Sequence, residues 1–305
     1  SGGVISVLTG GESSQVARAI VYERLSRSIS ALITGAALSV AGVIFQAVLR
    51  NPLSEPYILG VSGGAGVGAA LFVLATGGLI GMSSFGVAGF AVIGALCAVI
   101  VVMSVEYRYP RIGMEGVILL GVMINAVCGS LIICIASYLG EGGLISFYRW
   151  LLGSFSISPY GSQNLAPAAL LTTLLTTALL IDARRLNLLM LTTHEATALG
   201  VRASLMRRYA LALAGILSAV AVALAGLVGF VGLVVPHIAR KLWGGDLRLL
   251  IPASALLGGA LLIASDTVAR TVMSQSEMPF GFITAIIGAP VFILILIARS
   301  RVISE

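Results

Sequence analysis

Long stretches without a charged side chain alternate along the chain with short segments that carry almost all of its charge. The longest stretch covers residues 56–105. A helix needs roughly 20 apolar residues to cross a bilayer, so this stretch can hold two crossings, with a turn near residues 76–84 where glycines cluster. The other charge-free runs are residues 28–49, 116–140, 150–181, 209–239, 249–265 and 278–298.

The runs do not alternate polar and apolar residues at every second position, as the strands of a membrane β-barrel would. Helices are the other structure that satisfies backbone hydrogen bonds inside lipid. The composition agrees, because 58% of residues are hydrophobic and only 10% are charged. The sequence therefore predicts an all-α, polytopic transmembrane helical bundle that forms a single domain over residues 1–305.

The charge pattern predicts a topology for nine spans, at residues 28–49, 57–76, 85–105, 116–139, 163–181, 208–225, 226–239, 249–268 and 279–298. Five of the 18 basic residues then fall on one side of the membrane, and they are Arg18, Arg24, Arg27, Arg149 and Arg270. Cytoplasmic loops collect Lys and Arg, so the richer side and the C-terminus are expected in the cytoplasm, and residues 1–27 outside. Two short or broken spans are expected in 209–239, with Gly226, Gly229, Gly232 and Pro236 supplying the breaks.

Several function classes are disfavoured. The net charge of +6 lies at the ends of apolar runs, which fits membrane orientation better than nucleic-acid binding. No catalytic or metal site is predicted, because Cys97, Cys128 and Cys134 lie inside apolar runs without metal-ligand spacing. The one lysine, Lys241, does not lie in a G-K-[ST] motif, so ATP hydrolysis through a P-loop is not expected. No span carries a central ionisable residue, which disfavours a proton-coupled carrier.

Short motifs in a fixed order make the chain resemble the FecCD/BtuC-type permeases, the membrane subunits of ABC importers for iron–siderophore complexes, haem and cobalamin. In the first half these motifs are RLSR at 24–27, GAAL at 35–38, GVIFQ at 42–46, NPLSEP at 51–56 and LGVSGGA at 59–65. In the second half they are ALG at 198–200, GFVGLVVPHIAR at 229–240, GDLR at 245–248, ASDTVAR at 264–270, EMPFG at 277–281 and GAPVF at 288–292. The family has ten spans, whereas nine are visible here, and Ser26 replaces the usual proline.

The resemblance implies a permease in the cytoplasmic (inner) membrane of a bacterium or archaeon that is not itself an enzyme. It implies a homodimer with the pathway between the subunits. Two cytoplasmic ATP-binding subunits would bind ATP and Mg, and a periplasmic or lipid-anchored binding protein would deliver the substrate. No cofactor is expected in this chain. A proton-coupled secondary transporter and a non-transporting membrane scaffold remain as alternatives.

The longest cytoplasmic segment, residues 186–208, contains a predicted short helix, with a threonine as a cap, Glu195 in the first turn and Gly200 as a stop. The resemblance implies that this is the coupling helix that docks on the ATPase. The alternative is a connecting loop. The coupling candidates are Thr193, His194, Glu195, Ala196, Leu199 and Gly200.

Three external arginines, Arg24, Arg27 and Arg270, are either solvated residues or, as the resemblance implies, contacts for glutamates on a binding protein. Pathway or gate candidates come from two segments: the proline-rich connection at Asn51 and Pro52, and the interfacial aromatic segment with Tyr148, Arg149, Trp150 and Ser154. Packing is an alternative for the first segment, and a membrane-interface anchor for the second. His237 is expected to make a structural hydrogen bond.

Overall fold

The computed structural model describes residues 15–77, 84–153, 155, 165–190, 198, 202–272 and 279–303. Within these residues the chain forms eleven α-helices and no β-strand, which confirms the predicted all-α class. The helices are α1 Gln15–Val48, α2 Val61–Ala75, α3 Ser84–Arg108, α4 Gly113–Ala136, α5 Glu141–Leu151, α6 Leu165–Ile181, α7 Ala183–Leu188, α8 Ala203–Ala225, α9 Val231–Trp243, α10 Leu247–Val272 and α11 Phe280–Ile303.

Each of the nine predicted spans overlaps one of these helices, although α1 begins 13 residues before its predicted span. Five helices, α1, α3, α4, α8 and α10, are long and apolar enough to cross a membrane. The apolar helices α2 and α6, and the Phe280–Leu294 part of α11, are shorter. The chain is therefore a multi-pass membrane protein. The helices α5 and α7 were not among the predicted spans.

Helix α1 is the central element of the bundle, because it packs against α6, α8, α9 and α10. Of its most apolar stretch, 78% is buried within this single chain, whereas the corresponding value for α4 is only 6%. Helix α4 is the more apolar of the two, so its low burial is a matter of its position in the bundle and not of a polar composition. Helix α4 therefore presents most of its surface to lipid or to another protein.

Glycines allow α1 to approach its neighbours at backbone distance. A Cβ atom on Gly35 would collide with the backbone of Gly258 in α10, and one on Gly42 would collide with the carbonyl of Gly232 in α9. Small residues at helix crossings are typical of membrane bundles, where close backbone contact drives association. Gly64 and Gly68 in α2 pack in the same way, because a Cβ atom on either would collide with a backbone carbonyl of α3.

The run 209–239 is broken once, at residues 226–230, between α8 and α9. Gly226 and Phe230 both have positive φ values, +74° and +69°. The prediction that Gly232 and Pro236 also supply breaks is wrong, since both lie inside α9. Helix α9 has 13 residues and is therefore about 20 Å long, too short to cross a hydrocarbon core of about 30 Å by itself.

Contacts at the ends of the helices define two opposite ends of the bundle. Arg208 pairs with Glu106 at 3.6 Å, and Arg50 Nε donates to the carbonyl of Leu189 at 3.0 Å. Together with Arg240 and Asp246 these residues form what we call the basic end. Both the start of α8 and the end of α9 lie there, as the charge pattern predicts.

At the opposite end of the bundle, Arg27 in α1 pairs with Asp266 in α10. The 19 residues from Arg27 to Gln46, which lies at the basic end, correspond to roughly 28 Å along α1. We call this opposite end the triad end, because Asp266 pairs there with both Arg27 and Arg270. The compartment that each end faces stays a prediction from the charge pattern.

Candidate functional site

The triad end is built around one buried carboxylate. Asp266 lies within 3.3 Å of Nη2 of Arg27 and within 3.0 Å of Nη2 of Arg270. The side chains of Arg27 and Asp266 are 7% and 2% exposed, and that of Arg270 is 27% exposed. Nε of Arg270 also donates to the backbone carbonyl of Asp266. The three residues therefore form a triad with a net positive charge that joins α1 to α10.

The three arginines of the predicted docking set lie in different surroundings. Arg24 is exposed, Arg270 is partly exposed, and Arg27 is buried. Arg24 and Arg270 can therefore contact an external partner from the surface of this chain, while the observed partner of Arg27 is Asp266. Asp266 belongs to the ASDTVAR motif at 264–270, but no sequence pattern reveals that it pairs with a residue 239 positions away.

The coupling candidates Thr193, His194, Glu195, Ala196, Leu199 and Gly200, and the gate candidate Ser154, lie outside the described residues. The segment with the coupling candidates leaves from α7 and enters α8, and both flanks are at the basic end. Its role in coupling stays a prediction.

A polar contact fixes the flank of this segment. Asn187 in α7 donates from Nδ2 to Asp246 at 2.8 Å, and its Oδ1 accepts from the backbone N–H of Leu247 at 3.0 Å. Arg248 pairs with the same carboxylate at 2.6 Å. The hydrogen bond from the Arg248 side chain holds the pKa of Asp246 well below its usual range. Asn187 and Asp246 therefore join the end of α7 to the start of α10.

The aromatic segment predicted as a gate forms the last turn of α5. Phe147 is buried and stacks on Trp150 with ring centroids 6.4 Å apart, whereas Tyr148 is exposed. The side chain of Arg149 lies outside the part of the chain that the structure describes. A Cβ atom on Gly226 would collide with the carbonyl of Trp150, so α5 lies directly against the 226–230 break. The role of these residues in the pathway stays a prediction.

The connection between α1 and α2 leaves the helix, as its prolines predict. Oδ1 of Asn51 accepts a hydrogen bond from the backbone N–H of Leu53 at 3.0 Å and so closes a tight turn. Pro52 lines a cavity at the basic end. The structure therefore gives Asn51 a hydrogen bond within the turn, and the contribution of both residues to packing or to a gate stays a prediction.

Two side chains of the same connection hold the 226–230 break, and neither contact is predictable from the sequence pattern. A carboxylate oxygen of Glu55 accepts from the backbone N–H of Phe230 at 2.8 Å. The hydroxyl of Tyr57 donates to the carbonyl of Val228 at 3.1 Å and accepts from its N–H at 3.0 Å. These bonds satisfy backbone groups that an interrupted helix would otherwise leave unpaired inside the bundle.

The structure does not support the hydrogen bond expected for His237. Its Nε2 atom is buried and has no hydrogen-bond partner among the described residues. Within the same residues, no group of three or more His, Cys, Asp or Glu side chains could hold a metal ion.

The comparisons with known proteins agree with this geometry. The model of the FecCD transport family matches residues 2–298. The ABC transporter permease protein YvrB of Bacillus subtilis is 39% identical over 285 residues, which cover 91% of this chain and 78% of YvrB.

Two further relatives carry the names of transported compounds. The hemin transport system permease protein HmuU of Yersinia pestis is 37% identical, over 91% of this chain and 82% of HmuU. The vitamin B12 import system permease protein BtuC of Yersinia pseudotuberculosis is 36% identical, over 90% of this chain and 80% of BtuC.

A solved structure is similar over nearly the whole length. It is described as an inward-facing conformation of a metal-chelate type ABC transporter, and its chain is 31% identical to this one. The TM-score is 0.84, with 97% of this chain and 95% of the other covered. The similarity therefore extends to the arrangement of the helices.

Proposed function

The chain belongs to the FecCD transport family, and on this basis we propose that it moves a metal chelate into the cytoplasm as the membrane subunit of an ABC importer. The observation that carries the proposal is the family match over residues 2–298, supported by the shared helical arrangement. The substrate class includes haem, ferric siderophores and cobalamin. The relatives named for hemin and for vitamin B12 are about equally similar, so neither substrate is favoured.

The working protein is a homodimer with the pathway between its two copies. This part of the proposal is supported by α4, of which only 6% of the most apolar stretch is buried in one chain. Large apolar side chains such as Val122, Val127 and Leu131 are exposed along it. A second copy would cover part of this surface, and lipid would cover the remainder.

Energy would come from two ATP-binding subunits that dock at the basic end. These subunits, and not this chain, would bind ATP and Mg. The segment between α7 and α8 would carry their movement into the bundle, since Asn187 and Asp246 join its flank to α10. At the triad end, a binding protein would dock on Arg24 and Arg270, and Asp266 would hold Arg27 and Arg270 in position. Exposed charges of this kind guide docking and register more than they add affinity.

Movement between the two ends would involve the 226–230 break, because α5 lies against it and Glu55 and Tyr57 hold it from the other side. A short loop between two helices can change its φ and ψ angles without breaking the hydrogen bonds of either helix. The inner (cytoplasmic) membrane is the location that such an importer requires.

Isolation of the assembly tests this proposal. The chain should co-purify with its ATP-binding subunit when the two are co-expressed, and ATP hydrolysis should increase when a loaded binding protein is added. Haem, a ferric siderophore and cobalamin can then be compared as ligands of that binding protein. A chain that moves substrate in response to a proton gradient, without any ATP-binding subunit, would be a secondary transporter instead.

A further inference from the structure

Two short helices, α2 and α9, begin inside the bundle. Helix α9 starts ten residues, or roughly 15 Å, before Arg240 at the basic end, and α2 runs from the interior toward the triad end. The segments that lead into them are in contact, because a Cβ atom on Gly232 would collide with the ring of Pro56. We call residues 55–59 and 226–230 together the inner junction.

Hydrogen bonds hold the two halves of the inner junction together. The hydroxyl of Tyr57 donates to the carbonyl of Val228 at 3.1 Å and accepts from its N–H at 3.0 Å. Val228 is only 1% exposed, so both of its backbone groups would lose their partner in the interior if the hydroxyl moved away. Glu55 accepts from the N–H of Phe230 in the same region. The two halves are therefore expected to move as one unit.

Helix α4 reaches the inner junction through one amide side chain, at Asn125 near the middle of the helix. Its Nδ2 donates to the backbone carbonyl of Tyr57 at 3.0 Å. Its Oδ1 accepts from the N–H of Gly63 at 3.0 Å and from the hydroxyl of Ser62 at 3.2 Å. Since a carbonyl only accepts and a backbone N–H only donates, these bonds fix the orientation of the amide. Asn125 thus joins α4 both to Tyr57 and to the first turn of α2.

Close packing at the same level leaves α4 no room to shift alone. A Cβ atom on Gly121 would collide with the carbonyl of Ile58, and one on Gly60 would collide with the side chain of Ile124. Closely packed interiors transmit displacements, because they contain few voids that could absorb them. Met123 and Val127, on the opposite face of α4, are exposed. Helix α4 therefore connects an exposed face with the inner junction.

We propose that Asn125 and Tyr57 are positioning residues that couple α4 to the 226–230 break. A displacement of α4 passes through the Asn125 amide to the backbone of Tyr57, and through the Tyr57 hydroxyl to Val228. It then reaches α9, which ends at the basic end. The inference rests on the proposed function, since α4 is the helix that a second copy would cover and the basic end is where the ATP-binding subunits would dock.

Hydrogen–deuterium exchange of the purified protein in detergent tests this chain of contacts without transport. In peptides that cover residues 226–230, Tyr57→Phe should raise exchange at Val228 by roughly five- to thirty-fold, as expected for the loss of one or two hydrogen bonds. Asn125 bonds to Tyr57 and to α2, so Asn125→Ala acts on the break through Tyr57 and should raise the same exchange. Tyr138→Phe, which removes an exposed hydroxyl beyond α4, is the control and should not.

Unchanged exchange at residues 226–230 in Asn125→Ala would overturn the proposal. If that variant does not fold, Asn125→Ser replaces it, because serine keeps a polar group in the helix but is too short to reach both Tyr57 and Gly63. The same reading then applies to the serine variant.

A second arm measures substrate transported per ATP hydrolysed in proteoliposomes. Tyr57→Phe and Asn125→Ala should each lower this ratio several-fold while ATP hydrolysis continues, whereas a purely structural defect would lower the Tm and both rates together. The double variant should be no worse than the worse single variant, because both residues act in one chain of contacts. A wild-type ratio in both single variants, or effects that multiply in the double variant, would contradict the coupling. A wild type without ATP-driven uptake would refute the proposed function, and the exchange measurement would still decide whether Asn125 positions the break.

Discussion

Asp266 and Arg27 are 239 positions apart in the sequence and form a buried ion pair, with Oδ1 of the aspartate 3.3 Å from Nη2 of the arginine. Since α10 is joined to α1 through this pair, the triad end depends on one carboxylate that also binds Arg270. Loss of that carboxylate would leave two positive charges facing each other at a largely buried site.

Asp266→Asn should therefore destabilise the protein strongly. Breaking one side of a buried ion pair costs about 3–5 kcal/mol, because the remaining charge loses its partner. Arg24→Gln, at an exposed position one turn before Arg27, should change stability little. Thermal unfolding in detergent measures the stability of both variants. An Asp266→Asn protein as stable as the Arg24→Gln control would show that the triad does not join the helices.

Docking of a binding protein should depend on Arg24 and Arg270. Reversal of Arg24 to Glu should weaken binding and leave the fold intact, because its side chain is exposed. The interaction should weaken as salt rises, since exposed charges are screened over roughly 10 Å at 0.1 M ionic strength. Surface plasmon resonance with the binding protein measures how the affinity changes with the substitution and with salt. An affinity that changes with neither would argue against docking at this end.

Substitution of Arg27 separates docking from folding. Arg27→Glu should lower the Tm as well as the affinity, because the new carboxylate would face Asp266 in the buried triad. A stable Arg27→Glu protein that has lost docking alone would mean that Arg27 contacts the partner directly.

We expect a methyl group at Gly42 to destabilise the protein, because α1 packs closely against α9 there. In an exposed helix, replacement of glycine by alanine gains up to about 1 kcal/mol from helix propensity. Here the added Cβ would collide with the backbone of Gly232, so Gly42→Ala should be destabilising by about 1–3 kcal/mol. Gly89→Ala is the control, since the added group would contact no atom beyond its own stretch of helix backbone. Equal Tm values for the two variants would contradict the observed helix crossing.

The topology can be tested with single cysteines in a background that lacks Cys97, Cys128 and Cys134. Gly244→Cys should resist an impermeant thiol reagent in intact cells and react after permeabilisation, because the loop after α9 is at the basic end. Tyr138→Cys, after α4, should react from outside in intact cells. External labelling at Gly244 would invert the orientation and place the C-terminus outside.

The sequence predicted much of the fold because lipid imposes a simple requirement on each apolar run. Every span that was predicted from a charge-free stretch overlaps a helix, and Pro52 and Pro56 marked the point where α1 gives way to α2. The prediction placed additional breaks at Gly232 and Pro236, but α9 continues through both. A local rule about helix-breaking residues could not include the packing that supports α9 against α1.

The contacts between distant segments could not be predicted in the same way. The motifs containing Gln46, Glu55 and Asp266 were recognised, but the partners of these residues lie 175 to 239 positions away. Spacing along the chain carries no information about such pairs. The same limit applies to Asn125 and Tyr57, whose contacts exist only when three separate segments meet.

The most direct test of the central claim is ATP-driven uptake in proteoliposomes that contain this chain, its ATP-binding subunit and a binding protein loaded with a labelled metal chelate. Accumulation should require ATP and all three proteins and should continue when the proton gradient is abolished. Deletion of residues 195–200 should abolish uptake while the protein still inserts and dimerises. Uptake that proceeds without ATP, or at the wild-type rate in the deletion variant, would contradict the assignment of this chain as an importer permease coupled through that segment.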